Sequence, residues 1–281
     1  MKRVRVLTHA RPEQTSDSLQ KLIDAAKAHE AVLCFDEEEA AKHRIVASEG
    51  MLVCPPEPDD VDLCFVLGGD GTILKALRLC AGSEVPVFAV NFGEIGFLAT
   101  VEQDELAQSI ERALKGDFEL LRLPAIVLEG VSERQLAIND VAIHRKIGDR
   151  VASLSYAFDG EELGSVRCDG LVVSTPAGST GYNLANGGPV MAWGVAGFVV
   201  SFIAPHSLTA RALVVAPRDS MGIHSHSPNP LDISLDGRPV GELAPGAALS
   251  VAFLDDACAL AQLPGSSFYR RLGEKFGRLA R

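Results

Sequence analysis

A continuous apolar run leads directly into a glycine-rich turn in the segment Leu63-Cys64-Phe65-Val66-Leu67-Gly68-Gly69-Asp70-Gly71-Thr72. An uninterrupted apolar run of this length is typical of a parallel strand that is buried on both faces. Ligands of open α/β sheets collect at the carboxyl ends of such strands, which is where the glycines lie. Glycines at that position let the backbone approach a phosphate and aim N–H groups at it. The segment therefore predicts a phosphate-handling turn and favours a kinase.

Asp70 is the unusual residue of this turn, because phosphate repels a carboxylate. A carboxylate is useful there when it holds a metal ion or accepts a proton from an attacking hydroxyl. Asp is also a common turn former and helix N-cap, and the GGDGT string alone does not decide between these roles. The chain has no GxxxxGK[ST] sequence, so the turn is not a P-loop.

Short β-branched runs and helical patterns alternate around this turn. The runs are Val4–Thr8, Ala31–Phe35, Leu63–Leu67 and Val85–Val90, and the helical patterns are Ser16–Ala28, Thr72–Ala81 and Asp104–Lys115. This alternation predicts βα units on a parallel sheet, in an α/β domain over residues 1–119. Two polar stretches, Glu37–Glu39 and Pro55–Asp60, are expected on a surface helix and a loop.

The pattern changes near Leu120 to short strand-like runs, which predicts a mostly-β domain over residues 120–255. Asp159-Gly160 and Asp236-Gly237 are turn signals typical of hairpins. The remaining residues, 256–281, form a C-terminal tail. Its part from Phe268 onward is basic and weakly amphipathic, and we expect a helix there that packs back on the first domain.

The composition argues against several classes of protein. The formal net charge of −11 disfavours a general nucleic-acid binder, because such proteins neutralise phosphates with Lys and Arg. The longest apolar run, Val190–Ala204, contains two glycines and is shorter than the roughly 18 residues needed to span a bilayer, so no membrane contact is expected. The six cysteines form no CxxC pair, which indicates a reducing cytoplasm and no structural metal.

A second glycine-rich stretch runs from Asp169 to Tyr182 and is followed by Asn186-Gly187-Gly188-Pro189. Hydroxyl and backbone N–H groups suit ribose and phosphate oxygens, and Tyr182 can stack on a base. A long turn needs some of these glycines but not the many interleaved hydroxyls, so a ligand loop is favoured. A third motif, Asn139-Asp140, is better explained in isolation as a bulge or turn.

Taken together, these motifs resemble the NAD kinase family. That family carries a GGDGT loop, an Asn-Glu or Asn-Asp pair, a DGL-(x)3-TPTGSTAY stretch with a following GGP, and a late Asp-Gly turn. The corresponding residues here are Gly68–Thr72, Asn139-Asp140, Asp169–Tyr182 with Gly187-Gly188-Pro189, and Asp236-Gly237. GGDGT alone is shared with diacylglycerol, sphingosine and phosphofructokinase relatives, and the longer glycine-hydroxyl motif narrows the choice.

The resemblance implies a fold and a reaction. The fold would be a Rossmann-like α/β N-terminal domain of the GGDGT kinase type and a mostly-β, NAD-binding C-terminal domain, assembled as a homodimer or homotetramer. The reaction would transfer a phosphoryl group from ATP, another nucleoside triphosphate or polyphosphate to the 2′-hydroxyl of the adenosine ribose of NAD, making NADP. Mg²⁺ or another divalent metal would accompany the donor.

The resemblance also assigns roles to individual residues by position. Asp70 would be the general base, beside a phosphate loop made of Gly68, Gly69, Gly71 and Thr72. The residues expected to bind NAD are Asp70, Gly71, Lys75, Asn139, Asp140, Arg167, Asp169, Thr180, Gly181, Tyr182, Asn183, Leu184, Ala185 and Ala204. Within that set, Asn139 and Asp140 would hold ribose hydroxyls, Arg167 and Asp169 the nicotinamide half, and Thr180–Ala185 the adenine.

This sequence departs from the family pattern at five positions, which are Ala177, Gly181, Asn183, Asn186 and Arg238. The first four lie in the presumed adenine loop and affect local contacts more than the reaction. Arg238 adds a charge where Gln is common, which is expected to alter donor or effector preference.

Two other functions are compatible with parts of the sequence. A lipid kinase would use the same GGDGT loop but needs an apolar acyl cleft, and the Asp169–Tyr182 loop speaks against it. A non-catalytic dinucleotide sensor would keep the fold without turnover, and the intact Asp70 argues against that. The pair His224 and His226 lies in a Ser/Pro-rich stretch that is interpreted as a solvated loop, so it is given no metal role.

Overall fold

The computed structural model describes residues 2–53, 61–93, 96–99, 101–131 and 133–277. The chain forms two compact units, the first made of Met1–Arg122 with Cys258–Arg281 and the second of Leu123–Ala257. Each unit has its own hydrophobic core. The predicted Pro55–Asp60 loop lies outside the described residues.

The described residues contain the following strands and helices. The strands are β1 Arg3–Thr8, β2 Val32–Phe35, β3 Met51–Val53, β4 Leu63–Gly68, β5 Pro86–Asn91, β6 Glu119–Glu129, β7 Gln135–Ala137, β8 Asp140–Arg145, β9 Ala152–Phe158, β10 Glu161–Cys168, β11 Gly170–Ser174, β12 Phe198–Ile203, β13 Leu213–Val215, β14 Met221–Ser225, β15 Leu231–Leu235, β16 Arg238–Leu243 and β17 Ala248–Gln262. The helices are α1 Ser16–Ala28, α2 Glu37–His43, α3 Asp70–Leu79, α4 Leu106–Lys115, α5 Tyr182–Ala185 and α6 Phe268–Phe276.

The first unit is built on a parallel sheet, as the alternating pattern predicts. Its strand order is β3-β2-β1-β4-β5, and the end of β17 pairs in parallel with β5 through Ala259–Ala261. The strand order reverses between β1 and β4, where Thr8 pairs with Leu67. The carboxyl ends of strands at such a reversal form the usual ligand crevice of an open α/β sheet. The Gly68–Thr72 turn begins at that crevice.

Amphipathic helices cover this sheet. In α1 the apolar residues Leu19, Leu22, Ile23 and Ala26 recur at helical spacing, and all four belong to the core that contains Phe65 of β4. The predicted helix Ser16–Ala28 is confirmed at both ends. Helix α4 begins two residues later than predicted, because residues 103–105 form a short 3-10 turn before it.

The expectation that Glu37–Glu39 lies on the surface is wrong for Glu39. The segment starts α2, but the Glu39 side chain is only 1% exposed. Its Oε2 atom accepts the Thr8 hydroxyl at 2.7 Å, and its Oε1 atom pairs with Lys42 Nζ at 2.7 Å. A buried carboxylate is tolerated when both oxygens have such partners. The run of three Glu residues carries no sign of which one faces inward.

The second unit is mostly β, as predicted. One sheet has the antiparallel order β13-β12-β11-β8-β15-β16, and another contains β10-β9-β14-β17 together with the β6–β7 pair. Apolar side chains from both sheets share one core. The hairpins at Asp159-Gly160 and Asp236-Gly237 are confirmed, with positive φ at all four residues. Trp193 is also buried, at 8% exposed.

The expectation for His224 and His226 is wrong in one respect. His224 lies on β14, opposite Ser155 of β9, and not on a loop. Strand β14 escapes the sequence pattern because its buried residues alternate with Gly222 and His224 over only five residues.

The described residues contain no helix that is both long and apolar enough to cross a membrane. Five cysteines, Cys34, Cys64, Cys80, Cys168 and Cys258, are free and buried, where a thiol acts as a small apolar side chain. Cys54 lies outside the described residues.

Candidate functional site

The glycine turn after β4 opens a helix earlier than the sequence suggests. The predicted helix was Thr72–Ala81, whereas α3 is Asp70–Leu79, because the Gly69 carbonyl accepts the N–H groups of Thr72 and Ile73. Asp70, Gly71 and Thr72 therefore form the first helical turn. The N-terminal end of a helix carries a partial positive charge, which suits an anion.

Close backbone packing explains two of the glycines. A Cβ atom on Gly68 would lie 2.6 Å from the Thr72 side chain, and one on Gly93 would lie 3.2 Å from Gly69 Cα. The Phe92 N–H also donates to the Gly68 carbonyl at 3.1 Å. The segment after β5 therefore lies directly against the turn.

The Asp70 carboxylate is held by main-chain groups from that same segment. Phe97 N donates to Oδ2 at 2.9 Å and Leu98 N donates to Oδ1 at 3.2 Å. A Cβ atom on Gly96 would overlap the carboxylate. Gly69 is the N-cap residue, so Asp70 does not cap its own helix. Its orientation is set by two donors distant in sequence, which is more than a turn former requires.

Lys75 lies on the partly exposed side of α3. Its Nζ atom pairs with Glu38 Oε2 at 2.8 Å. The hydrogen bond and charge of Lys75 lower the pKa of the Glu38 carboxyl. Lys75 is thus one turn beyond Asp70 and Gly71 in the first unit.

In the second unit, the late Asp-Gly turn organises the Asn139-Asp140 motif. Asp236 Oδ1 accepts the N–H groups of Asn139 at 2.7 Å and Asp140 at 3.2 Å, and Oδ2 accepts that of Ile138 at 3.2 Å. Two motifs that are about a hundred residues apart in sequence are therefore joined by one carboxylate.

The glycine-hydroxyl loop after β11 packs on the backbone of Ile138 and Asn139. Thr175 donates its hydroxyl to the Ile138 carbonyl at 2.6 Å and its N–H to the Asn139 carbonyl at 2.9 Å. A Cβ atom on Gly178 would overlap the Asn139 carbonyl. Ser179 donates to the Pro176 carbonyl at 2.7 Å. Thr175 and Ser179 are fully buried, so these two hydroxyls build the loop and are not available to a ligand.

The end of this loop separates buried residues from accessible ones. Asn183 is fully buried, and its Nδ2 atom donates to the carbonyls of Ser179 at 3.0 Å and Pro189 at 2.9 Å. Thr180, Gly181 and Ala185 lie at the surface side of the turn, with Leu184 partly covered. The Tyr182 ring is 40% exposed.

Asp140 has an unusual electrostatic setting. Its side chain is 7% exposed, and burial followed by the negative charge of Asp236 raises its pKa to about 7. The carboxyl therefore changes charge near neutral pH.

Asp169 and Tyr182 line one surface cavity together with His144, Arg145, Gly148 and Ile203. Arg145 donates two hydrogen bonds to the Asp169 carboxylate, from Nε to Oδ1 at 2.6 Å and from Nη2 to Oδ2 at 3.1 Å. This pairing lowers the pKa of Asp169. Burial, followed by the charges of Asp140 and Asp169, raises the pKa of Tyr182. Arg145 was not predicted as a site residue. What could have indicated it is its position at the end of β8, next to His144, which pairs with Gly170.

Arg167 and Ala204 lie at the ends of neighbouring segments. Arg167 is exposed on β10, and its carbonyl accepts the His206 N–H at 2.7 Å. Ala204 follows β12 with φ of 43°, a left-handed conformation that is uncommon for a residue with a Cβ atom. Such conformations occur where surrounding structure overrides the local preference.

No group of three His, Cys, Asp or Glu side chains in the described part of the chain could hold a metal ion. His224 Nδ1 lies 3.3 Å from His226 Nε2, which also contacts the Ser155 hydroxyl at 2.9 Å. The two rings are therefore partners of each other, and His226 is also a partner of a serine.

Known proteins resemble the chain over nearly its whole length. The model of the ATP-NAD kinase N-terminal domain matches residues 6–118, and the model of the ATP-NAD kinase C-terminal domain matches residues 138–260. An NAD kinase from Gemmatimonas aurantiaca is 35% identical over 268 residues, which cover 92% of this chain and 90% of that protein.

Two solved structures share the fold. Yeast NADH kinase complexed with NADH has a TM-score of 0.87 and 23% identity, covering 99% of this chain and 88% of that one. An NAD kinase from Archaeoglobus fulgidus in complex with ATP has a TM-score of 0.76 and 23% identity, covering 97% and 98% of the two chains. At these identities the likeness shows the fold alone.

Proposed function

Because the chain belongs to the NAD kinase family, we propose that it transfers a phosphoryl group from ATP to the 2′-hydroxyl of the adenosine ribose of NAD, making NADP. The membership makes it a phosphotransferase that acts on NAD. The donor, the position of the new phosphate and the catalytic base are the parts that we propose. Another nucleoside triphosphate or polyphosphate is the alternative donor.

The orientation of Asp70 is the observation that carries the proposed mechanism. A ribose hydroxyl is a poor nucleophile at neutral pH, and a carboxylate within hydrogen-bond reach helps by accepting its proton during attack. Two main-chain N–H groups hold the Asp70 carboxylate at the first turn of α3. Each carboxylate oxygen keeps a second lone pair for the hydroxyl proton.

The donor phosphates are proposed to lie at the crevice between the ends of β1 and β4. The phosphate loop Gly68, Gly69, Gly71 and Thr72 lies there at the start of α3, and the N-terminus of a helix favours an anion. The loop after β1 lies beside it, because His9 N donates to the Leu67 carbonyl at 2.8 Å, and the exposed Arg11 follows two residues later. The ATP complex of the archaeal neighbour supports the choice of ATP.

A divalent metal is proposed to arrive with the donor, as Mg²⁺–ATP. Mg²⁺ is usually held by substrate phosphates, waters and one or two carboxylates, so it does not need a protein cage. The described residues offer no such cage. We therefore treat the metal as part of the donor substrate, where it neutralises phosphate charge.

NAD is proposed to bind through residues of the second unit together with Asp70, Gly71 and Lys75 of the first. Asn139 and Asp140 would hold ribose hydroxyls, and Tyr182 would stack on the adenine within the loop that ends at Ala185. Asp169 and Arg167 would contact the nicotinamide half, and Ala204 would be a further NAD-binding position. We add Arg145 to this group, because it forms an ion pair with Asp169.

Three further features remain proposals. Phosphate handling is proposed for the domain of residues 1–119 and NAD binding for that of residues 120–255. Residues 256–281 are proposed to form a tail that packs on the first domain. A homodimer or homotetramer is proposed, and sedimentation equilibrium distinguishes it from a monomer. A reducing cytoplasmic setting is supported by the five free buried thiols.

A substrate panel tests the proposed reaction. Purified protein with Mg²⁺ is incubated with ATP or polyphosphate against NAD or NADH, and the product is identified by mass spectrometry and ³¹P NMR. We expect a 2′-monophosphate of NAD with ATP as donor. A product phosphorylated at another hydroxyl, or no transfer from any donor, would contradict the proposal.

A further inference from the structure

We propose that Arg271, on helix α6, is a positioning residue that holds the Asp70 carboxylate in its reactive orientation through the main chain of Phe97. The inference rests on the proposed role of Asp70 as the base. It gives the C-terminal helix a part in turnover, through the hydrogen bond that Arg271 donates to the Phe97 carbonyl.

The peptide group between Phe97 and Leu98 connects the two side chains. Arg271 Nη1 donates to the Phe97 carbonyl at 2.6 Å, and the Leu98 N–H donates to Asp70 Oδ1 at 3.2 Å. These carbonyl and N–H groups belong to one planar peptide unit, whose two ends point in opposite directions. A rotation of that plane would break both hydrogen bonds, so fixing its carbonyl end also fixes the donor to Asp70.

The Phe97 side chain is held by the same helix. Its ring is 5% exposed, lies 6.5 Å between centroids from Phe268, and has Lys275 Nζ 4.1 Å from its centroid. A cation over an aromatic face is attractive, the more so when partly desolvated. Helix α6 thus holds both the backbone and the ring of Phe97, whose own N–H donates to Asp70 Oδ2 at 2.9 Å.

The charge of Arg271 suits this position. Burial lowers its pKa to about 10, opposed by the negative charges of Asp70, Glu274 and Glu102, so the guanidinium stays protonated at neutral pH. A charged donor makes a stronger hydrogen bond to a carbonyl than a neutral one. The carboxylates of Asp70 and Glu102 also gain a nearby cation.

A general structural role for Arg271 is the alternative, and it predicts different results. If Arg271 only anchored α6, its loss would lower stability and would affect turnover equally with or without the Asp70 carboxylate. If it positions Asp70, its loss lowers kcat, leaves KM for NAD almost unchanged, and matters only while Asp70 is present.

Arg271→Gln tests the proposal, with Arg270→Gln as the matched control because Arg270 is the preceding, exposed arginine of the same helix. In Arg271→Gln we expect amide hydrogen exchange at Phe97 and Leu98 to accelerate at least about 10-fold, and kcat to fall by about 10-fold, the value of one charged hydrogen bond. KM for NAD should stay within about twofold. Arg270→Gln should match the wild type in all three measurements.

The double variant with Asp70→Asn separates this inference from the proposed function. At enzyme concentrations that reveal residual turnover, Arg271→Gln should add no further loss in the Asp70→Asn background. A loss of equal size in both backgrounds, or wild-type kcat in Arg271→Gln, overturns the positioning role. Wild-type kcat in Asp70→Asn alone overturns the proposed base, while the exchange data still report on the Arg271–Phe97 contact.

Arg271→Lys keeps the test decisive if Arg271→Gln does not fold. Lysine retains the charge but not the planar fork, so we expect a kcat between those of the wild type and the Gln variant, with unchanged KM. Wild-type kcat in Arg271→Lys would then count against the proposal.

Discussion

Two carboxylates of the site differ because their surroundings differ. Asp70 is partly accessible and receives two main-chain N–H bonds, which fix the orientation of its carboxylate. Asp140 is 7% exposed and close to Asp236, which itself accepts the N–H groups around it. Burial and a like charge disfavour the ionised form of Asp140. A group held near its point of titration can donate a hydrogen bond to a ribose oxygen or accept one from a ribose hydroxyl.

Asp140 makes the stability of the protein depend on pH in a specific direction. Because its pKa is raised to about 7 in the folded state, the folded form binds the proton more tightly than the unfolded form. Wild-type stability should therefore fall as pH rises from about 4 to about 7 and stay reduced above that. Asp140→Asn removes this dependence, so the variant should gain about 2–4 kcal/mol relative to the wild type between pH 4.5 and pH 8.

Urea unfolding at the two pH values measures this difference. Asp255→Asn is the matched control, because Asp255 is exposed and its removal should change the pH dependence little. An equal free-energy difference between Asp140→Asn and the wild type at both pH values would contradict the buried, titrating carboxyl.

Three candidate site residues could be predicted from the sequence, Tyr182 from the composition of its loop and Asp70 and Asn139 from the family resemblance. Arg145 and Arg271 were not, because their roles come from pairings with Asp169 and Phe97 at sequence separations that no local pattern reports. The burial of Glu39 was missed for the same reason, since Glu39 is on helix α2 and its partner Thr8 is on strand β1.

The loop after β11 is the element on which the second unit's site depends. Its position is set by hydrogen bonds from Thr175 to the Ile138–Asn139 backbone and by the close approach of Gly178. The many hydroxyl groups in this stretch of sequence favoured a ligand loop. Some of them instead form the hydrogen bonds that build the loop. Among the large side chains of this loop, that of Tyr182 is the most exposed.

Gly178→Ala should therefore separate this loop from Asn139. The added methyl group overlaps the Asn139 carbonyl, so the backbone must shift. We expect a loss of about 1–3 kcal/mol in unfolding free energy and a KM for NAD raised by at least about 10-fold. Gly194→Ala is the control, since a Cβ there meets no atom within 4 Å and φ is not positive. Wild-type stability and KM in Gly178→Ala would contradict this packing.

Helices and strands could be predicted where the spacing of their apolar residues is regular. Helix α1 was found at both ends because its apolar spacing is regular. Strand β14 was missed, since its buried residues alternate with Gly222 and His224 over only five residues. The start of α3 was misplaced by two residues, because the Gly69 carbonyl begins the helix within a string that resembles a loop.

At the scale of the whole molecule, the first unit is made from two separate parts of the chain. Residues 258–277 supply the end of β17, which pairs with β5, and helix α6, which contacts Phe97. The parallel sheet was predictable from the alternating pattern. The return of the chain end as a further parallel strand was not, because strand pairing depends on topology and not on the local pattern.

Deletion of residues 258–281 should consequently weaken the first unit more than the second. Ala261 of the removed strand belongs to the first unit's core, and Ala259–Ala261 bond to Pro86–Phe88. Amide exchange should accelerate through β4 and β5, while β8, β11 and β12 keep their protection. Deletion of residues 278–281 alone is the control and should leave both units unchanged. Equal acceleration in both units would contradict the discontinuous first unit.

The single-turnover rate of Asp70→Asn, measured with saturating NAD and Mg²⁺–ATP, tests the assignment of the base most directly. The substitution preserves size and removes the proton acceptor. We expect NAD affinity within about twofold of the wild type and a transfer rate lower by about 10²–10⁴-fold, the usual contribution of a general base. A transfer rate within a few-fold of the wild type would show that another group takes the proton.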